Sequence, residues 1–180
     1  ADIVALDKTG TITRGEPAVT DLIPVKGIDE KELLSIAYAL ERKSEHPLAC
    51  AIVQKAKEWE LAAENVEEFK ILPGNGLTGK IGNDVLFGGN YQFVNEHAAI
   101  ADGLRQQAEI LAGEGKTPLF FARQGELLGM IAVADTMKED SPSAIKEMQH
   151  MGIRVVMVTG DNERTAKAIG SKAGVDEVIA

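Results

Sequence analysis

Ile3 to Leu6 is a short apolar run that stops at Asp7. Buried on both faces, such a run suits a central parallel strand. The following residues, Lys8 to Gly15, are rich in Thr and Gly and predict a loop. Asp29-Glu30-Lys31-Glu32 sets an N-cap residue three positions ahead of a glutamate, an aspartate form of the capping box. Leu33, Leu34, Ile36, Ala37 and Leu40 then recur at helical spacing. Pro47 suits the first turn of a second helix, whose apolar side is Leu48, Ile52, Val53 and Ala56.

Between Val66 and Gly89 the period changes. Short β-compatible runs are broken by Pro73-Gly74, Gly79, Gly82-Asn83-Asp84 and Gly88-Gly89, which predicts antiparallel strands and tight turns. Ile100, Leu104, Ala108 and Leu111 mark a helix closed by Gly113. Strands are expected at Pro118–Arg123 and Leu127–Ala134, around a turn at Gln124-Gly125. After Asp135 the pattern becomes helix from Ser141-Pro142, strand over Arg154–Val158, helix after Asn162, and a further strand from Val175. That alternation is α/β grammar. The expected organisation is therefore split. Residues 1–14 and 134–180 form one doubly wound α/β domain, and an α+β unit built on an antiparallel sheet, residues 15–133, is inserted into it.

The chain has 180 residues, 44% of them hydrophobic, and a formal net charge of −9. That length holds one ordinary core or two modest ones. The acidity is a poor match for nucleic acid or an anionic membrane surface. It does not oppose a phosphate ligand, which needs only local donors. Cys50, the single cysteine, allows no intrachain disulfide and reads as a small core residue. The three histidines show no zinc-ligand spacing. No stretch approaches the roughly 20 apolar residues of a membrane helix, there is no signal-peptide pattern, and both ends read as cut from something longer.

Candidate chemistry sits where strands give way to loops. In Asp7-Lys8-Thr9-Gly10-Thr11-Ile12-Thr13, a carboxylate lies just past a strand, where open α/β sheets place their ligands. Gly10 allows close approach of the backbone to a phosphate. Thr9, Thr11 and the loop amides are donors for phosphate oxygens. An aspartate so placed can attack a γ-phosphate and become an acyl phosphate, with Mg²⁺ screening the two anions. Val158-Thr159-Gly160-Asp161-Asn162 repeats the arrangement: Thr159 can bond a phosphate oxygen, and Asn162 can cap a helix whose N-terminus favours anions. In the middle region, His46 before Pro47 is by itself an ordinary helix-entry residue. Gly74-Asn75-Gly76-Leu77-Thr78-Gly79 has dinucleotide-motif letters, but it lies between strands rather than at a strand–helix junction.

DKTGTIT resembles the phosphorylation motif of P-type ATPases, which have the haloacid-dehalogenase-like fold. Phosphatases of that superfamily carry a second Asp two positions after the nucleophile. Thr9 stands there in this chain, which implies a phosphoenzyme that persists, as a pump requires. The resemblance makes Thr159-Gly160-Asp161 the second phosphate-site motif, with Lys8 balancing charge, and Asp135-Thr136 the hinge segment. It assigns part of a magnesium site to Asp7 and the Thr9 carbonyl.

A glutamate five residues before His-Pro, then Gly-x-Gly, then Gly-Asn, is the pattern of the heavy-metal-transporting subgroup. It falls on Glu41, His46-Pro47, Gly74-Asn75-Gly76 and Gly89-Asn90. The resemblance then implies that Glu41 and His46 hold the adenine of ATP, that Gly74 and Gly76 line the adenine and ribose pocket, and that Asn90 meets the ribose. Ser-Glu-His-Pro-Leu-Ala with Gly-Asn is closer to copper transporters than to zinc or cadmium ones. The implied protein is a cytoplasmic portion of an integral membrane Cu⁺ pump. Its membrane helices, which bind the transported ion, its actuator domain and a final Mg²⁺-binding Gly-Asp-Gly segment lie outside this chain. A zinc/cadmium pump, a soluble phosphatase of the same superfamily and a non-catalytic nucleotide-sensing module are the rival readings.

Overall fold

The computed structural model describes residues 2–180. In chain order, β1 (Ile3–Asp7) leads through a coiled turn, Lys8–Ile12, into the long strand β2 (Thr13–Pro24). Two helices follow, α1 (Glu30–Glu41) and α2 (Pro47–Glu58), then a meander of β3 (Glu67–Leu72), β4 (Gly76–Ile81) and β5 (Asp84–Gly89). A second helical pair, α3 (Tyr91–Asn95) and α4 (Asp102–Gly113), precedes the hairpin β6 (Thr117–Arg123) and β7 (Glu126–Met137). The chain closes with α5 (Ser141–His150), β8 (Arg154–Val158), α6 (Glu163–Ala173) and β9 (Glu177–Ile179).

Helices α1 and α6 start where their caps dictate. Asp29 accepts the Glu32 amide at 2.7 Å, and Asn162 accepts that of Thr165 at 3.0 Å. Each satisfies a donor that the first helical turn leaves unpaired.

Six strands in the order β2-β7-β6-β5-β4-β3 make an antiparallel sheet, and three in the order β1-β8-β9 make a parallel one. The antiparallel sheet is covered twice. Leu33, Leu34, Ile36 and Leu40 of α1 and Ile52 of α2 pack with Phe121 and Ile131 on one face. Phe93 and Val94 of α3 and Leu111 of α4 pack with Phe120 and Met130 on the other. In the parallel sheet, Val155 and Met157 pack beneath Ile145 of α5 and Ala166 and Ala173 of α6.

Four expectations change. β1 is not buried on both faces: its residues alternate, because β1 is an edge strand with helices on one side, and Ile3 is 62% exposed. Thr13 to Gly15 belong to a strand rather than to the preceding loop. β2 keeps Gly15, Pro17 and Pro24 because it too is an edge strand, with irregular register between Thr13 and Pro17 and between Val19 and Asp21. Cys50 is exposed, on the face of α2 opposite Ala51, Ile52 and Ala56. The last strand begins at Glu177 rather than Val175.

Candidate functional site

β1 and β8 are parallel neighbours, with Asp7 opposite Val158, so the two phosphate-type motifs emerge side by side from the same end of the sheet. Lys8 Nζ lies 2.9 Å from Asp161 Oδ2 and ties one turn to the other. That oxygen is buried, and the ammonium is its charge partner without an aligned hydrogen bond. Asp7, Thr9, Gly10 and Thr11 are exposed on the first turn. Gly10 sits at φ 77, the left-handed region that lets the turn fold back. Thr159 is half-buried and its hydroxyl oxygen accepts the Asp161 amide at 3.2 Å. Around Gly160 there is open space.

The first turn is held from behind by residues that the motifs did not single out for this role. Thr13 is buried, accepts the Gly10 amide at 3.3 Å and donates to Asp135 Oδ2 at 2.5 Å. The other oxygen of Asp135 accepts the Gly15 amide at 2.9 Å. Lys138 Nζ donates to the Gly10 carbonyl at 3.0 Å, and the Ser141 hydroxyl donates to that of Ile12 at 2.8 Å. Asp7 thus hangs on a turn whose backbone is fixed by three residues more than 120 positions away in sequence. Asp135 and Ser141 are named in the sequence as hinge and helix start, but the long separation hid the bonds of all three to this turn. Each is an ordinary polar residue in its local context.

Glu41 and His46 meet in a cavity of about 380 Å³ that also takes in Gly74, Gly76 and Asn90. All five middle-region candidates therefore share one concavity. A larger groove of about 600 Å³, between Ile23, Leu104 and Leu127, holds none of them, so size alone does not mark the site. Glu41 ends α1 with its carboxyl buried, and that burial pushes its pKa up to about 7. His46 caps α2: its Nδ1 accepts the Leu48 amide at 3.2 Å, which leaves the proton and the outward edge on Nε2.

Two of the five also build the walls. A Cβ on Gly76 would lie 2.0 Å from the Gly88 carbonyl oxygen, so glycine there is demanded by the close approach of β4 to β5. Gly74, by contrast, faces open space. Asn90 accepts the Phe93 amide at 2.9 Å as the cap of α3 and donates to the Gly74 carbonyl at 2.9 Å, so both ends of its side chain are engaged. α3 escaped the sequence reading because five residues are too few to show a period.

A second cleft, of about 360 Å³, lies between the two sheets and takes in Lys8, Asp135, Asp161 and Lys116. Leu48 lines both this cleft and the Glu41–His46 cavity, so the two are neighbours.

Comparison with known proteins places the fold. Copper-transporting ATPase 2 of Rhizobium meliloti (strain 1021) is 44% identical over the whole chain, which covers 22% of that protein. The chain spans about a fifth of the length of the curated relatives it matches. Among solved structures, a zinc-transporting PIB-type ATPase in the E2·Pi state superimposes with a TM-score of 0.87 at 37% identity, covering 97% of this chain and 28% of that one. The N-domain of HMA8, a copper-transporting P-type ATPase, superimposes with a TM-score of 0.54 at 25% identity, over 65% of this chain and 98% of that one. Residues 1–180 match one family throughout, and by that match the chain belongs to the haloacid dehalogenase-like hydrolases.

Proposed function

We propose that this chain is the nucleotide-binding and phosphoryl-accepting portion of an ATP-driven heavy-metal cation pump, with Cu⁺ as cargo. The observation that carries the reading is the Lys8–Asp161 pair, which sets the Asp7 turn beside Thr159 at adjacent strand ends. ATP is the substrate. Its adenine enters the cavity of Glu41 and His46, against the backbone at Gly74 and Gly76 and the edge at Asn90. A carboxylate oxygen of Asp7 attacks the γ-phosphorus, the bond to the bridging oxygen breaks, and ADP leaves with that electron pair. The product is an aspartyl phosphate. Thr9, Thr11 and Thr159 donate to the phosphoryl oxygens, Gly160 leaves room for them, and Lys8 with Asp161 holds the charge balance. Thr9 has no carboxylate with which to activate water, so the acyl phosphate is retained.

The donors suit Mg²⁺. Asp7 and the Thr9 carbonyl offer two hard oxygens, and such an ion takes few protein ligands and fills its shell with phosphate oxygens and water. When bound, it screens the approach of one anion to another. Among the described residues no group of three or more His, Cys, Asp or Glu could enclose a metal by itself.

The parent protein would carry the metal in membrane helices, work with an actuator domain and keep this portion on the cytoplasmic side. Among the described residues no helix is long and apolar enough to cross a membrane. Copper is favoured by the names of the curated relatives. The zinc-transporting structure favours zinc as the second cargo, with the same chemistry at Asp7.

The test is phosphoenzyme formation from radiolabelled ATP in the full-length parent. An acid-stable, hydroxylamine-sensitive label, stimulated by Cu⁺ and absent in Asp7→Asn, is expected. A label that survives Asp7→Asn overturns the reading, and stimulation by Zn²⁺ alone overturns the cargo.

A further inference from the structure

Two walls run from the Glu41–His46 cavity into the cleft beside Asp7. On one, α2 begins at His46 in the cavity and passes to Leu48, which lines both spaces. On the other, Leu119 of β6 lines the cavity and Thr117 lines the cleft. Residues two apart on a strand share a face and stand about 7 Å apart. The two walls lead the same way, and the next residue along the second is Lys116.

Lys116 is one of two lysines in the cleft lining. The other, Lys8, stands across the cleft and pairs with Asp161. The backbone of Lys116 is anchored, its amide bonded to the Leu111 carbonyl at 3.1 Å where α4 ends. Its ammonium rests 3.0 Å from Asp21 Oδ2 and 3.6 Å from Glu114 Oε2, and its side chain is 21% exposed. Such partly solvated pairs are weak. A polyphosphate passing through the cleft offers more negative charge than either carboxylate and competes for the same ammonium.

We infer that Lys116 is a positioning residue for the polyphosphate of the bound nucleotide: it leaves Asp21, takes up phosphate oxygens between the adenine cavity and Asp7, and so directs the terminal phosphate to the nucleophile. This rests on the nucleotide reading of the cavity. It adds a function for a lysine that lies in none of the motifs.

The experiment is calorimetric titration of the chain with ATP and, separately, with adenosine, on wild type, Lys116→Met and Lys116→Arg. In Lys116→Met, ATP affinity falls about tenfold, the loss typical of a charged hydrogen bond, while adenosine affinity stays within twofold, as expected for a ligand with no phosphate to contact. Lys116→Arg restores most of the ATP affinity. A purely structural bridge to Asp21 predicts something else: both ligands weakened together, or neither. Either result overturns the proposal, as does an arginine variant no better than methionine. Should Lys116→Met not fold, Lys116→Gln is titrated in its place under the same criteria. A folded wild type that binds neither ligand overturns the nucleotide reading beneath it, and this proposal falls with it. Adenosine binding that persists while ATP is indifferent to residue 116 overturns this proposal alone.

Discussion

Phe120 and Phe121 are neighbours on β6, point to opposite faces of the antiparallel sheet, and are both fully buried, because a pair of helices covers each face. On the parallel sheet the same alternation has a different outcome. Val155 and Met157 are buried under α5 and α6, whereas Ile3, Val158 and Ile179 are 62%, 39% and 52% exposed. Apolar strands of similar composition thus differ in burial according to what covers them. The hydrophobicity of a strand states what it can bury, and the layers around it decide what it does bury.

Four variants probe the contrast. The largest effect is expected for Phe121→Ala, which empties a fully buried site between α1 and the antiparallel sheet. Denaturant unfolding should show a loss of about 3–5 kcal/mol. An unchanged midpoint would deny that this sheet is stabilised by its double cover.

Glu41 comes next. Its folded pKa is raised from 4.5 to about 7 by burial, so the native state holds its proton more tightly than the unfolded chain does. The associated stability is full below about 4.5 and is lost as pH rises through about 7, amounting to roughly 3 kcal/mol. Melting temperatures measured across that window should decline in wild type and stay flatter in Glu41→Gln. Parallel curves would place the carboxyl in water.

Asp135→Ala removes the acceptor of both Thr13 and Gly15 and should cost about 1–3 kcal/mol. Faster hydrogen exchange at the Gly15 amide is the local readout, and protection there equal to wild type would contradict the clamp. The smallest effect is reserved for the open face. Ile3→Ser should change stability by no more than about 0.5 kcal/mol. A cost near that of Phe121→Ala would show that something covers Ile3 in solution.

Features set by neighbouring residues were legible in the sequence. The Asp29 and Asn162 caps, the glycine-punctuated meander and the strand endings at Asp7 and Val158 all follow from local chemistry, and the structure has each of them. Features set by distant partners were not. The strand character of Thr13–Pro24 depends on pairing with β7, since prolines and a glycine argue against it locally. Exposure of Cys50 depends on which side of α2 meets the sheet.

The candidate site divides in the same way. Asp7, Thr159 and His46 could be named from their motifs. Lys138, Ser141 and Lys116 could not, because their partners lie far along the chain or across a cleft. Gly76 shows a subtler limit. Its place in a Gly-x-Gly pattern suggests ligand access, while its surroundings show a backbone contact that would exclude any side chain.

The chain leaves the parallel sheet through β2 and returns through β7, and these strands are bonded to each other from Thr13–Met137 to Pro24–Gly129, with the register broken between Thr13 and Pro17 and again between Val19 and Asp21. Mechanically this connection is a laminate rather than a pair of strings. A laminate resists sliding of one ply over the other, and where the ladder is broken beside Asp135 its side chain still couples the plies through Thr13 and Gly15.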